Sequence, residues 1–173
     1  MTYKSITLII ISLLVFSCKT TYKSGQCDQL FLDLKTGKLN GVSPSASMDD
    51  VKKAFPCYTG ETEEGSDFNC GGGIFMLKHD FYFYTHADFI EVRKGFKGKL
   101  SKPVFNIGKN ELISLVGNPD NTIKHELKYS DGVIHVYQYE KKWGVLAFLE
   151  KEGKITEIDL HEGKKIGQID YCF

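Results

Sequence analysis

Neither sign of charge is in excess in this chain, which carries 22 Lys+Arg against 22 Asp+Glu over 173 residues. A protein that holds a phosphate backbone needs a basic surplus, so nucleic acid is excluded as an expected partner. Long apolar runs are also missing. The longest, Ile6 to Phe16, is broken only by Thr7 and Ser12. As a helix it would span about 16 Å, against a hydrocarbon core of roughly 30 Å, so it is too short to cross a membrane. The chain has no Gly-x-Ser-x-Gly elbow, no Walker-type phosphate loop and no His-Glu-x-x-His, and each of these is the local geometry of a known chemistry. Close Cys/His pairs with zinc-ligand spacing are absent too. The expectation is therefore a protein that is not an enzyme, with no catalytic residue, no metal ligand and no small-molecule cofactor.

What is present begins at the N-terminus. A head carrying Lys4, the short apolar run and a small residue before Cys18 have the form of a secretory signal. Val15-Phe16-Ser17-Cys18 resembles the bacterial lipobox, whose cysteine becomes the acylated first residue of the mature chain. Residues 1–17 are thus expected to be a lipoprotein signal peptide, and residues 18–26 a lipidated tether. The resemblance implies a lipid anchor in a membrane of the bacterial cell envelope, with the outer membrane favoured. Removing residues 1–17 takes away only Lys4 among the charged residues and leaves one acidic residue in excess. Export places Cys27, Cys57, Cys70 and Cys172 in an oxidising compartment, where an even count reads as disulfides. Cys57 and Cys70 flank a polar loop, so the favoured pairing is Cys57–Cys70 with Cys27–Cys172, out of three possible.

The remainder reads as α+β, with two similar repeats over 27–100 and 101–173, each a short helix followed by an antiparallel β-meander. Ser47 to Phe55 carries a cap residue, apolar positions at Val51, Ala54 and Phe55, and a stop at Pro56. Gly108 to Pro119 repeats the pattern with Leu112, Leu115 and Val116. Strand-like runs follow at 74–77, 81–85 and 89–96, then at 122–129, 133–140, 145–150 and 155–160. Asp131-Gly132 fits a two-residue hairpin turn, and Glu152-Gly153 a looser one. "NIGKNELISLVGNPD", followed by four short strands, resembles the repeat of the β-lactamase-inhibitor-protein-like superfamily, and the small outer-membrane assembly lipoproteins that carry one such unit. That resemblance implies a binding protein and transfers no named binding residue.

A two-residue loop at Asp131-Gly132 would pair Tyr129 with Ile134 and Leu127 with Val136. Those residues, with Val145, Ala147, Leu149, Ile158 and Leu160, form the expected core face. The opposite face collects His135, Tyr137, Tyr139, Leu146 and Phe148, and in the first half Tyr82, Tyr84 and His86. Tyrosine-rich faces suit a protein partner, so these eight are the expected partner-binding residues. Weaker signals are the acidic loop Gly60–Asp67, the glycine run Cys70–Gly73, and the His79-Asp80 and His86/Asp88 pairs. They read as solvated turns. The functional expectation is an inhibitor or immunity protein against a secreted toxin or hydrolase. An accessory subunit of an envelope assembly complex is the alternative, and a hydrolase using His79, His86 or His135 a remote one.

Overall fold

The structure, a computed structural model, describes residues 28–62, 71–127 and 132–171. The signal peptide, the tether, Cys18, Cys27, Cys70 and Cys172 lie outside the described residues. In chain order the first elements are β1 (Phe31–Asp33), β2 (Lys38–Leu39), α1 (Met48–Ala54), β3 (Gly60–Thr62) and β4 (Gly73–Met76). After a 3-10 turn at Leu77–His79 come β5 (Phe81–Tyr84), β6 (Phe89–Arg93), β7 (Lys99–Leu100) and α2 (Lys109–Val116). The chain ends with β8 (Asn121–Glu126), β9 (Val133–Lys141), β10 (Gly144–Lys151) and β11 (Lys154–Glu162).

Both helices form where their caps direct. Ser47 Oγ accepts the Asp50 backbone N–H at 3.2 Å, and Asp50 Oδ2 accepts the Ser47 hydroxyl at 2.7 Å, so one residue pair closes the start of α1. Pro56 follows the C-cap Phe55. At the other end of the chain order, α2 stops at Gly117, whose φ of +94 lies where a side chain is strained. Each helix buries a short stripe, Val51 and Phe55 from the first and Leu112 from the second.

The architecture is mostly β, which corrects the α+β expectation, and it is not two repeats of a helix and a meander. One eight-stranded antiparallel sheet runs in the order β3-β4-β5-β6-β11-β10-β9-β8. β6 pairs directly with β11, Ile90 opposite Leu160 and Val92 opposite Ile158, so strands from both parts of the chain join in one surface. Helices of seven and eight residues are too short to make a layer of their own. A second, three-stranded sheet, β2-β1-β7, has no counterpart in the sequence expectation. It is tied to the β9–β10 turn by Trp143, whose indole N–H donates to Lys35 O at 3.0 Å. Gly37 makes room for that ring, since a Cβ there would sit 2.5 Å from it.

The registers differ from those expected. Glu126 pairs with Val133 and Ile123 with Val136, so the β8–β9 connection is longer than two residues. The shift is four residues, an even number, and leaves each side chain on its expected face. The β10–β11 turn at Glu152-Gly153 starts as expected, with Lys151 opposite Lys154 and Glu150 opposite Ile155. A bulge between Leu149 and Glu150 then moves the pairing by one residue. Beyond it Phe148 faces Ile158 and Leu146 faces Leu160, where Ala147 and Val145 had been expected. With a side-chain period of two, one extra residue exchanges partners along the rest of the strand.

On β9 and β10 the face that carries the helices is therefore the one expected to be open, whereas Ile158 and Leu160 of β11 are in the core as expected. The core on this face holds Ile74, Met76, Phe81, Phe83, Ile90 and Val92 together with Tyr137, Tyr139, Leu146, Phe148, Ile158 and Leu160. Tyr137, Tyr139, Leu146 and Phe148 are thus interior, not partner-binding. Their polar tips are satisfied from within: Tyr139 donates to Gly117 O at 3.1 Å and Tyr137 to Glu150 Oε2 at 3.0 Å. The hydroxyls that suggested an open face are what allow two tyrosines to be buried without an unpaired donor.

Candidate functional site

No helix covers the other face of the large sheet from among the described residues; the buried helix residues Val51, Phe55 and Leu112 all belong to the first core. Strand alternation and register lay out what this second face presents. Tyr82, Glu91, Asp159, Ala147, Gln138 and Asn121 stand in one row across six strands. Tyr84, Phe89, His161 and Val145 form the next row, and Arg93, Glu157, Leu149 and Val136 the one beyond. At one end Val136, Ala147 and Leu149 make a small apolar cluster with Ile123, Ile134 and Tyr171 packed on it. Tyr171 also accepts a hydrogen bond at its hydroxyl from Gln138 Nε2, 2.8 Å away.

The centre is an aromatic ladder beside a group of acids. Tyr82 stacks with Tyr84 at 6.0 Å, Tyr84 with Phe89 at 4.5 Å and Phe89 with His161 at 4.9 Å between centroids. Phe75 extends the ladder outward, 6.1 Å from Tyr82. Arg93 lies 4.6 Å over the Tyr82 ring, bonds Glu91 through Nε, and reaches Glu157 Oε2 at 3.6 Å. One guanidinium thus contacts two carboxyl groups, and a third, Asp159, stands opposite Glu91 on the neighbouring strand.

Burial decides the protonation of this group. Asp159 is held well above the usual carboxylate range by burial, and the neighbouring Glu91 charge adds to this. Burial likewise raises Glu91 against the pull of Arg93, and pushes Glu157 up to about 9, with Asp159 adding to the rise. His161 moves the other way, down to about 4, because burial disfavours its cationic form. Asp159 Oδ1 and His161 Nε2 have no hydrogen-bond partner, and Oδ2 stands 3.9 Å from His161 Nε2. That gap is beyond hydrogen-bond reach, so the two do not form a hydrogen-bonded acid–base dyad. Among the described residues no group of three or more His, Cys, Asp or Glu is placed to hold a metal ion.

The expected partner-binding residues separate on this frame. Tyr82 and His86 remain at the surface, half-buried and exposed respectively, whereas Tyr84 is buried in the ladder. β5 ends at Tyr84, so His86 and Asp88 lie in the following turn and not side by side on a strand. His79 is buried on the 3-10 turn. His135 is on the helix-bearing face, where it lines a cavity together with Glu150. Cys57 is disulfide-bonded. No described helix is long and apolar enough to cross a membrane.

Phe75, Arg93 and the acid group were not singled out from the sequence. The signal was present: in "TEIDLHE" Glu157, Asp159 and His161 alternate with Ile158 and Leu160. Such alternation ordinarily marks a strand with one solvated face. Comparison with known proteins supplies no family: no family model matches the chain, and no curated protein or solved structure matches it either.

Proposed function

We propose that this chain is a lipid-anchored protein of the bacterial cell envelope that works by binding another protein, as an inhibitor or immunity protein against a secreted toxin or hydrolase. The observation that carries the reading is the patch of Phe75, Tyr82 and Arg93 on the face opposite the described helices, two half-buried rings and a guanidinium in contact. Aromatic residues and arginine are the types that dominate binding energy at protein interfaces. Behind them the ladder and the Glu91–Arg93 contact hold the surface in one shape, which lowers the ordering cost of association. The anchor rests on the lipobox-like Val15–Cys18, and the disulfide at Cys57 accords with export.

The patch is tested by placing a photo-crosslinking amino acid at Tyr82 in the native envelope and measuring the affinity of the protein it captures. Tyr82→Ala should weaken that complex by about 2 kcal/mol or more, with a much smaller change in thermal stability. Unchanged affinity of the folded variant would remove the patch from the interface. The anchor has its own test. Cys18→Ala should abolish acylation and either release the protein to the soluble fraction or leave the precursor unprocessed. A variant that is processed and fractionates with membranes like the wild type would refute it.

A further inference from the structure

On the helix-bearing face a cavity of about 480 Å³ is bounded by the start of β9, the end of β10 and the β10–β11 turn. His135 and Glu150 line its wall, with Val133, Gly132, Glu152 and Gly153 around the mouth. Its volume falls within the range of small-ligand sites. We infer that this cavity binds a cationic N–H donor, a guanidinium or primary ammonium group, on the carboxylate of Glu150. The inference is independent of the patch on the other face.

Glu150 is 8% exposed, yet its carboxylate is poorly supplied with donors. Oε2 accepts the Tyr137 hydroxyl at 3.0 Å, and Oε1 lies 3.6 Å from His135 Nδ1, too far for a full hydrogen bond. A carboxylate offers about four acceptor sites, so beyond the Tyr137 hydroxyl Glu150 has acceptor capacity left for a donor that enters the cavity. A ligand bearing two or more N–H groups supplies what the protein does not. Tyr137 fixes the carboxylate from behind, so the site is held before a ligand arrives.

The cationic groups nearby do not reverse this. Lys151 is exposed at the rim, where water screens its charge. Lys109, at the start of α2, has its Nζ 5.6 Å from the centre of the Tyr137 ring. Glu152, also at the mouth, adds a second negative charge. The group farthest from water sets the sign of the cavity, because a charge acts most strongly where the dielectric is lowest.

The test is an NMR titration of the full processed protein at pH 7.5 with methylguanidinium, against its neutral near-isostere methylurea. Saturable shifts at the Gly132, Val133 and Gly153 amides are expected with methylguanidinium, at a Kd on the order of 1 mM. Methylurea should bind at least tenfold more weakly, and Glu150→Gln should lose at least tenfold for methylguanidinium. The amide introduced by that substitution retains an oxygen for Tyr137, and a thermal melt confirms that the variant is folded. Glu152→Gln, at the exposed rim, provides a second variant with a smaller expected loss. Absence of saturable shifts, or equal affinity for the two probes, overturns the proposal, as does wild-type binding by folded Glu150→Gln. A pentapeptide with a central arginine distinguishes the source of the cation. Binding at least tenfold tighter than methylguanidinium marks a polypeptide side chain, and equal binding a free small molecule; either supports the site.

Discussion

Phe148→Ala is expected to destabilise the fold by about 3–5 kcal/mol and to lower the thermal midpoint by roughly 10 °C. Phe148 is fully buried at the middle of β10. Its ring meets Tyr139 edge to face, with centroids 5.6 Å apart and planes at 84°, and across the strand pair it faces Ile158. Removing the ring loses its burial and leaves a cavity that two strands and their neighbours can only partly close. Denaturant unfolding monitored by far-UV circular dichroism measures the loss. A change below about 1 kcal/mol would mean that this face of the sheet is not the core, and that the register beyond the Leu149/Glu150 bulge is wrong.

Asp159→Asn should act in the opposite direction and depend on pH. Asp159 is raised by burial, with the Glu91 charge adding to the rise, so the folded protein keeps this proton at pH values where the unfolded chain has released it. Stability therefore falls as pH rises from the ordinary aspartate range through the folded value. Glu157, raised from 4.5 to about 9, contributes in the same direction over that window. His161, lowered from 6.5 to about 4, contributes oppositely below pH 6.5, where the unfolded chain binds a proton that the folded chain refuses. Urea unfolding of the wild type should show a decline from about pH 5 toward pH 9, shallower below 6.5, where His161 offsets part of it. Replacing Asp159 by the near-isosteric amide removes the cost of holding that proton in the folded state, so the variant should gain about 2–3 kcal/mol at pH 8.5. The gain should shrink as pH falls toward the ordinary aspartate range, where the carboxyl of the unfolded chain is protonated as well. A gain that does not change with pH, or wild-type stability that rises from 6.5 to 9, would contradict the buried-acid account.

The amino-acid sequence determined local structure well where the signal was local. Ser47 with Asp50 at one end and Pro56 at the other leave α1 little choice. The runs at 81–84, 133–141 and 144–151 are strands with boundaries within a residue or two of those expected. Alternation also sorted the side chains of these strands into two faces correctly. It did not say which face was inside. Tyr137 and Tyr139 are amphipathic, and burial is open to them only because Glu150 and the end carbonyl of α2 receive their hydroxyls, partners that exist only once the chain has folded. Nor did alternation show that Glu91, Glu157 and Asp159 converge. Glu91 and Asp159 are 68 positions apart in the chain and meet only through the β6–β11 pairing. That same pairing made one sheet where two repeats had been expected. A single residue of bulge then decided what faces what along β11, because strand pairing has a period of two and short-range sequence preference cannot count across a turn to the partner strand.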